Sequence, residues 1–160
     1  MKNRERAAGA QAYMKDISPF LGIATPERRA AVRAICKDLP SPTSDQLGKT
    51  AVKLYAQTER EYAYAANDMI DYFIDCANEQ FLDKYVVKLI TTKSWWDTVD
   101  GLGSVAVSPL TVKYPNKKLI EQWIRSDNMW LNRAAIQHQR GRRKNTNVMY
   151  ILELCARYAD

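Results

Sequence analysis

Apolar residues recur along this chain at helical spacing, and the alternation expected of a strand appears nowhere convincingly. A first helix is predicted from about Arg4 to Lys15, followed by a compact apolar connector, Ser18-Pro19-Phe20-Leu21-Gly22-Ile23. Thr25 reads as the cap of a second helix, with Pro26 at its first position, where a missing N–H costs nothing. That helix carries Arg28, Arg29, Arg33 and Lys37 and ends before Leu39-Pro40-Ser41-Pro42. Thr43 with Gln46, and Thr58 with Glu61, have the spacing of capping boxes, in which side chains satisfy the free N–H groups of a helix start. They open runs holding Leu47, Val52, Leu54 and Tyr55, and then Tyr62, Ala65, Ala66, Met69, Ile70 and Phe73. A further helix beginning near Asn78 uses Phe81, Tyr85, Val86, Leu89 and Ile90, and Ser94 with Asp97 repeats the capping-box spacing. After Pro109 and Pro115 come helices around Leu119 to Ile124, at Ser126-Asp127-Asn128, and from about Thr146 to Tyr158.

The starts are evenly spaced. Thr43, Asn78 and Pro115 begin the first helix of successive pairs, and Thr58, Ser94 and Asp127 the second, at a period of about 36 residues, within the range of helical-hairpin repeats. The expected fold is all-α: a HEAT-like α-solenoid of antiparallel helix pairs, forming a single domain over residues 1–160. In such a stack the second helix of each pair lines a concave wall, so the Ser94 and Asp127 helices would stand side by side.

Composition narrows the partners. The 160 residues are 46% hydrophobic and 26% charged, as in a globular protein with one core, and the net charge of +6 favours polyanions without separating nucleic acid from membrane headgroups or plain solubility. No run is long enough to cross a bilayer and the N-terminus lacks a signal-peptide core, so a monomer in the cytoplasm is expected. Cys36, Cys76 and Cys155 are odd in number and far apart, and His138 is the sole histidine. Reduced thiols are therefore expected, with no metal site and no cofactor.

The chemistry concentrates in Lys93-Ser94-Trp95-Trp96-Asp97-Thr98-Val99-Asp100-Gly101-Leu102. Asp97 falls at a helix-capping position, whereas Asp100 follows Trp96 by four residues, so that aromatic and carboxylate share one helix face. Adjacent tryptophans point about 100° apart, so one of Trp95 and Trp96 should pack inward and the other, Trp96, stay available. On the Asp127 helix, Leu131, Ala134, Ala135 and His138 form one stripe, leaving Trp130, Arg133, Gln137 and Arg140 on another. Arg133 then comes within reach of Trp96 and Asp100, and a solvated arginine or a simple salt bridge would satisfy the same spacing. Lys113, Lys117 and Lys118, and Arg140, Arg142, Arg143 and Lys144, gather at hairpin ends, which suits either the helix dipole or a nucleic-acid backbone.

Three blocks carry a resemblance to a known family. Trp95-Trp96-Asp97-Thr98-Val99-Asp100, Ser126-Asp127-Asn128-Met129-Trp130-Leu131-Asn132-Arg133-Ala134-Ala135-Ile136, and Tyr13-Met14-Lys15 with Pro19 through Arg29 together resemble the AlkD-type DNA alkylation repair glycosylases. That resemblance runs across essentially the whole chain. It implies a HEAT-like enzyme that hydrolyses the N-glycosidic bond of purines alkylated at N3 or N7 in duplex DNA. It also implies Asp100 as the catalytic carboxylate, Trp96 as a cleft tryptophan, Arg133 as the arginine on the DNA backbone at the lesion, and Tyr13 near the same cleft. Such a purine is already cationic and leaves without acid catalysis, so a carboxylate and aromatic faces can stabilise the charge developing on the sugar, and no metal is required.

The resemblance departs at the ends. Family members carry an extra N-terminal helix and further C-terminal helices with a second cleft tryptophan, so this chain is expected to be truncated, with an incomplete cleft. The alternative function is a non-catalytic HEAT-like module binding nucleic acid or a protein partner through the same wall.

Overall fold

The computed structural model of the protein describes residues 2–159, and these form helices joined by turns, with no strand among them. The fold is all-α. Packing divides the chain into two compact units, Met1–Cys76 and Ala77–Asp160.

The first unit contains α1 (Arg4–Tyr13), α2 (Thr25–Lys37), α3 (Ser44–Tyr55) and α4 (Arg60–Tyr72). The expected capping box opens α3: Thr43 Oγ1 accepts from the Gln46 N–H at 3.2 Å while the Thr43 N–H donates to Gln46 Oε1 at 2.8 Å. Leu47, Ala51 and Tyr55 recur every four residues and bury one face of α3, and α4 buries Ala63, Ala66 and Ile70. The Tyr55 hydroxyl donates to Asn67 Oδ1 at 2.8 Å, satisfying both polar groups inside this interface. Arg28 joins α2 to α4 through Asp68 at 2.7 Å and also lies over the Tyr64 ring.

Two predicted helix starts in this unit differ. α2 begins at Thr25 itself, after Ala24, which makes no side-chain cap. α4 is preceded by Glu59, again with no side-chain cap, and the Glu61 carboxylate is used elsewhere. It is buried and accepts from the backbone N–H groups of Leu21 (2.9 Å), Gly22 (2.8 Å) and Ile23 (3.2 Å) in the apolar connector. Three unpaired donors compete for this carboxylate more strongly than the single N–H of a helix start. At φ +74°, Gly22 also lets the connector pass so close to α1 that a Cβ there would collide with the backbone of Asn3 and Ala7.

In the second unit a π-helical turn, Leu82–Val86, runs into α5 (Val87–Ile90), burying Phe81, Leu82, Tyr85, Val86, Leu89 and Ile90. Helix α6 (Trp96–Leu102) continues through a second π turn, Gly103–Val107, into α7 (Ser108–Lys113). Pro109 therefore lies inside one helical path. The π turn just before it loosens the backbone where the proline ring would meet a carbonyl four residues back. α8 (Lys117–Ile124) is capped by Asn116, whose Oδ1 accepts from the Leu119 N–H at 3.0 Å, and buries Leu119, Ile120, Trp123 and Ile124. α9 (Met129–Ile136) is capped by Asn128 on the Trp130 N–H at 2.9 Å, and α10 (Val148–Ala159) follows.

The capping box expected of Ser94 and Asp97 is not formed. α6 follows Trp95, in extended conformation and with no side-chain cap, and the Ser94 hydroxyl instead donates to the Ile90 carbonyl at 2.6 Å. Ser94 closes α5 because an orphan carbonyl at that helix end lies within its reach. Helix starts at Ser44, Leu82 and Lys117, and at Arg60, Trp96 and Met129, keep the expected order.

Removing the Glu61 carboxylate leaves three backbone donors unpaired, so Glu61→Ala is expected to cost about 3 kcal/mol of stability. Glu61→Gln, which retains one acceptor oxygen, should lose less. Urea unfolding of the two variants checks the order, and an unchanged midpoint for Glu61→Ala would remove the assigned role.

Candidate functional site

Asp100, Trp96 and Arg133 meet in the second unit on the adjoining helices α6 and α9. Arg133 Nε donates to Asp100 Oδ1 at 2.7 Å and Arg133 Nη2 to Oδ2 at 2.8 Å, a two-pronged pairing that fixes both groups in orientation as well as distance. A second guanidinium, that of Arg140, approaches Oδ2 through Nη1 at 3.1 Å. The carboxylate is 16% exposed, against 38% for Arg133 and 47% for Arg140, so the acid is the most enclosed member of the cluster.

The local sequence explains this arrangement. Trp96 and Asp100 lie one turn apart on α6, while Thr98, Val99 and Leu102 turn to the core. On α9, Asn132 is buried and its amide donates to the carbonyls of Trp123 (2.9 Å), Ile124 (3.1 Å) and Ser126 (2.8 Å). Asn132 thereby pins α9 to the end of α8, and its neighbour Arg133 points to the other side, toward Asp100.

Beside the ion pair lies a cavity of about 290 Å³ lined by Trp96, Met129, Trp130, Arg133, Ile136, Gln137 and Tyr158. Trp96 is 41% exposed, whereas Trp95 is half-buried and packs against Trp130, ring centroids 5.8 Å apart. The tryptophan pair is thus divided between packing and groove. The second stripe of the Asp127 helix is the one that faces this site: Trp130, Arg133 and Gln137 line the groove, and Arg140 bonds both Asp100 and Gln137 Oε1.

Burial works against ionising Asp100, but hydrogen bonds from Arg133 and Arg140, reinforced by their charges, outweigh it and hold the carboxyl below its ordinary range. The hydrogen bond to Asp100 raises the Arg133 guanidinium in turn, over the opposing effect of burial. The result is a fixed anion beside aromatic faces, a combination that can stabilise positive charge without giving up a proton.

The other sequence candidates lie on other elements. Tyr13 is the last residue of α1 in the first unit and is 73% exposed. The basic loop after α9 divides its members: Arg142 Nη2 donates to Thr111 Oγ1 at 2.6 Å and to the Ser108 and His138 carbonyls, while Arg143 and Lys144 are exposed. His138 is buried with Nδ1 at 2.7 Å from the Ala135 carbonyl, and burial lowers its pKa. Among the described residues no group of three or more histidine, cysteine or acidic side chains could hold a metal ion, and no helix is long and apolar enough to cross a membrane. Spacing puts Arg140 on the stripe of Trp130, Arg133 and Gln137, but its contact with Asp100 is not among the expectations.

Because the folded carboxyl titrates below its unfolded value, Asp100 contributes stability that is fully present above the ordinary carboxylate range and is lost as pH falls through the depressed pKa. The stability gap between the protein and Asp100→Asn should therefore be widest near neutrality and shrink on acidification. Urea midpoints measured for both proteins across the acid range check this, and a constant gap would contradict it.

Comparison with known proteins bears on the fold and the family. The chain is similar to a solved structure described as a predicted DNA alkylation repair enzyme from Enterococcus faecalis, with 25% sequence identity and a TM-score of 0.86 over 98% of this chain and 73% of that one. No curated protein matches it. The model of the DNA alkylation repair enzyme family matches residues 1–160, which takes in both units and every helix described above. With that match over residues 1–160, the chain belongs to the DNA alkylation repair enzyme family.

Proposed function

We propose that the protein is a DNA glycosylase that hydrolyses the N-glycosidic bond of N3- or N7-alkylated purines in duplex DNA, working as a HEAT-like solenoid whose concave wall carries the α6 and α9 site. One observation above all supports this reading: an ionised carboxylate, Asp100, held by a two-pronged arginine beside an aromatic groove. An alkylated purine carries its positive charge before the bond breaks, so a proton donor is unnecessary. As the bond lengthens the charge passes to the deoxyribose, where a carboxylate of lowered pKa can oppose it and orient a water.

The named side chains divide the work. Trp96 and Trp130 offer π faces and flat apolar surface to a cationic nucleotide. Arg133 holds Asp100 and has a half-exposed guanidinium that can also meet the DNA backbone. Tyr13 is assigned a place near the same cleft by the resemblance alone. The net charge of +6 favours the duplex as partner. The second reading, a non-catalytic module that binds nucleic acid or a protein partner through the same wall, gives the two-pronged pairing of Asp100 no chemical task.

Release of N7-methylguanine from alkylated duplex DNA tests the first reading. The wild-type protein is expected to release it, and Asp100→Asn, similar in size but uncharged, should lose at least about a hundredfold in rate, the order of effect of removing one preorganised electrostatic group. Equal release by both proteins would remove Asp100 from the chemistry. Salt-sensitive duplex binding with no base release by either would favour the module.

A further inference from the structure

Two guanidiniums converge on one carboxylate, so the resting cluster of Asp100, Arg133 and Arg140 carries a formal charge of +1. That sign suits a phosphate and opposes a cationic base. The two arginines are not held alike. Arg133 spends Nε and Nη2 on both carboxylate oxygens, at 2.7 and 2.8 Å. Arg140 makes one contact to Oδ2 at 3.1 Å and shares the same Nη1 with Gln137 Oε1, also at 3.1 Å. Its side chain is 47% exposed and it lies beyond the end of α9, next to Gly141 at φ +83°.

We propose that Arg140 is a positioning residue that exchanges Asp100 for a phosphate of bound DNA, and that this exchange frees a lone pair on the carboxylate and removes the excess positive charge of the cluster when the cationic nucleotide arrives. The inference rests on the glycosylase reading of the groove. A single exposed contact is inexpensive to break, whereas the two-pronged Arg133 pair is held in both distance and direction and stays. A phosphodiester offers Arg140 two oxygens in place of one shared oxygen, and the transfer leaves Asp100 and Arg133 as a neutral pair beside the groove. Before DNA binds, the same contact keeps the carboxylate compensated. Gln137, on the groove wall, gives the Arg140 arm a second contact.

The test uses the full chain, methylated duplex DNA and the substitutions Arg140→Gln and Arg140→Lys, with thermal unfolding as the check that both variants fold. If Arg140 meets a phosphate on binding, Arg140→Gln should flatten the dependence of log affinity on log salt by about one unit, and Arg140→Lys should restore it. In excision assays Arg140→Gln should raise KM severalfold more than it lowers kcat. An unchanged salt slope in Arg140→Gln overturns the exchange, as does a loss confined to kcat at unchanged KM. The salt slope does not require turnover, so the two failures are separable. A wild-type protein that releases no base while Arg140→Gln still flattens the slope defeats the glycosylase reading and leaves the phosphate contact standing. Excision with an unmoved slope does the reverse.

Discussion

The pairing of Arg133 with Asp100 is the constraint on which the site depends. Each partner alone would be a half-buried charge with unsatisfied hydrogen-bonding capacity; together they satisfy one another only at a single separation and orientation. That requirement sets the relation of α6 to α9. It is met because α9 is independently fastened to α8 by the buried amide of Asn132, so the arginine one residue along is presented by a held backbone. A loosely anchored arginine would follow its carboxylate; here the carboxylate is oriented by an arginine that cannot readily move.

Around this pair, the polar and apolar parts of the site have separate supports. The groove owes its aromatic walls to Trp96 and Trp130, and Trp130 is itself braced by Trp95 from the residue before α6. Flat, polarisable surface therefore stands beside a carboxylate held between two guanidiniums, in a protein whose overall charge is positive. Screening weakens the field of the distant charges far more than that of the enclosed cluster.

Much of this was legible in the sequence because it depends on spacing along single helices. The four-residue step from Trp96 to Asp100, and the stripe of Trp130, Arg133, Gln137 and Arg140, survive folding unchanged in kind. Helix ends were less legible, since a capping pattern specifies groups that can bond, not the groups they choose. Thr43 and Gln46 found each other; Ser94 found the end of the previous helix, and Glu61 found a connector forty residues away in sequence. Pro109 misleads for a related reason: its cost is local, and a π turn just before it absorbs that cost within the helix. Composition could not sort the basic loop after α9: spacing put Arg140 on the site stripe, but the partners of Arg142 come only from three-dimensional packing.

The connector held by Glu61 also bears on how an acidic polymer can meet this protein. Successive N–H groups of Leu21, Gly22 and Ile23 converge as in the backbone nests that elsewhere cradle phosphate, close in sequence to the arginines of α2. Here the nest is occupied from within: the protein supplies its own anion, buried and covalently tethered at effectively unlimited local concentration. A phosphate could enter only by displacing that carboxylate from all three donors. While that carboxylate is in place, the connector is closed to an outside phosphate despite its geometry.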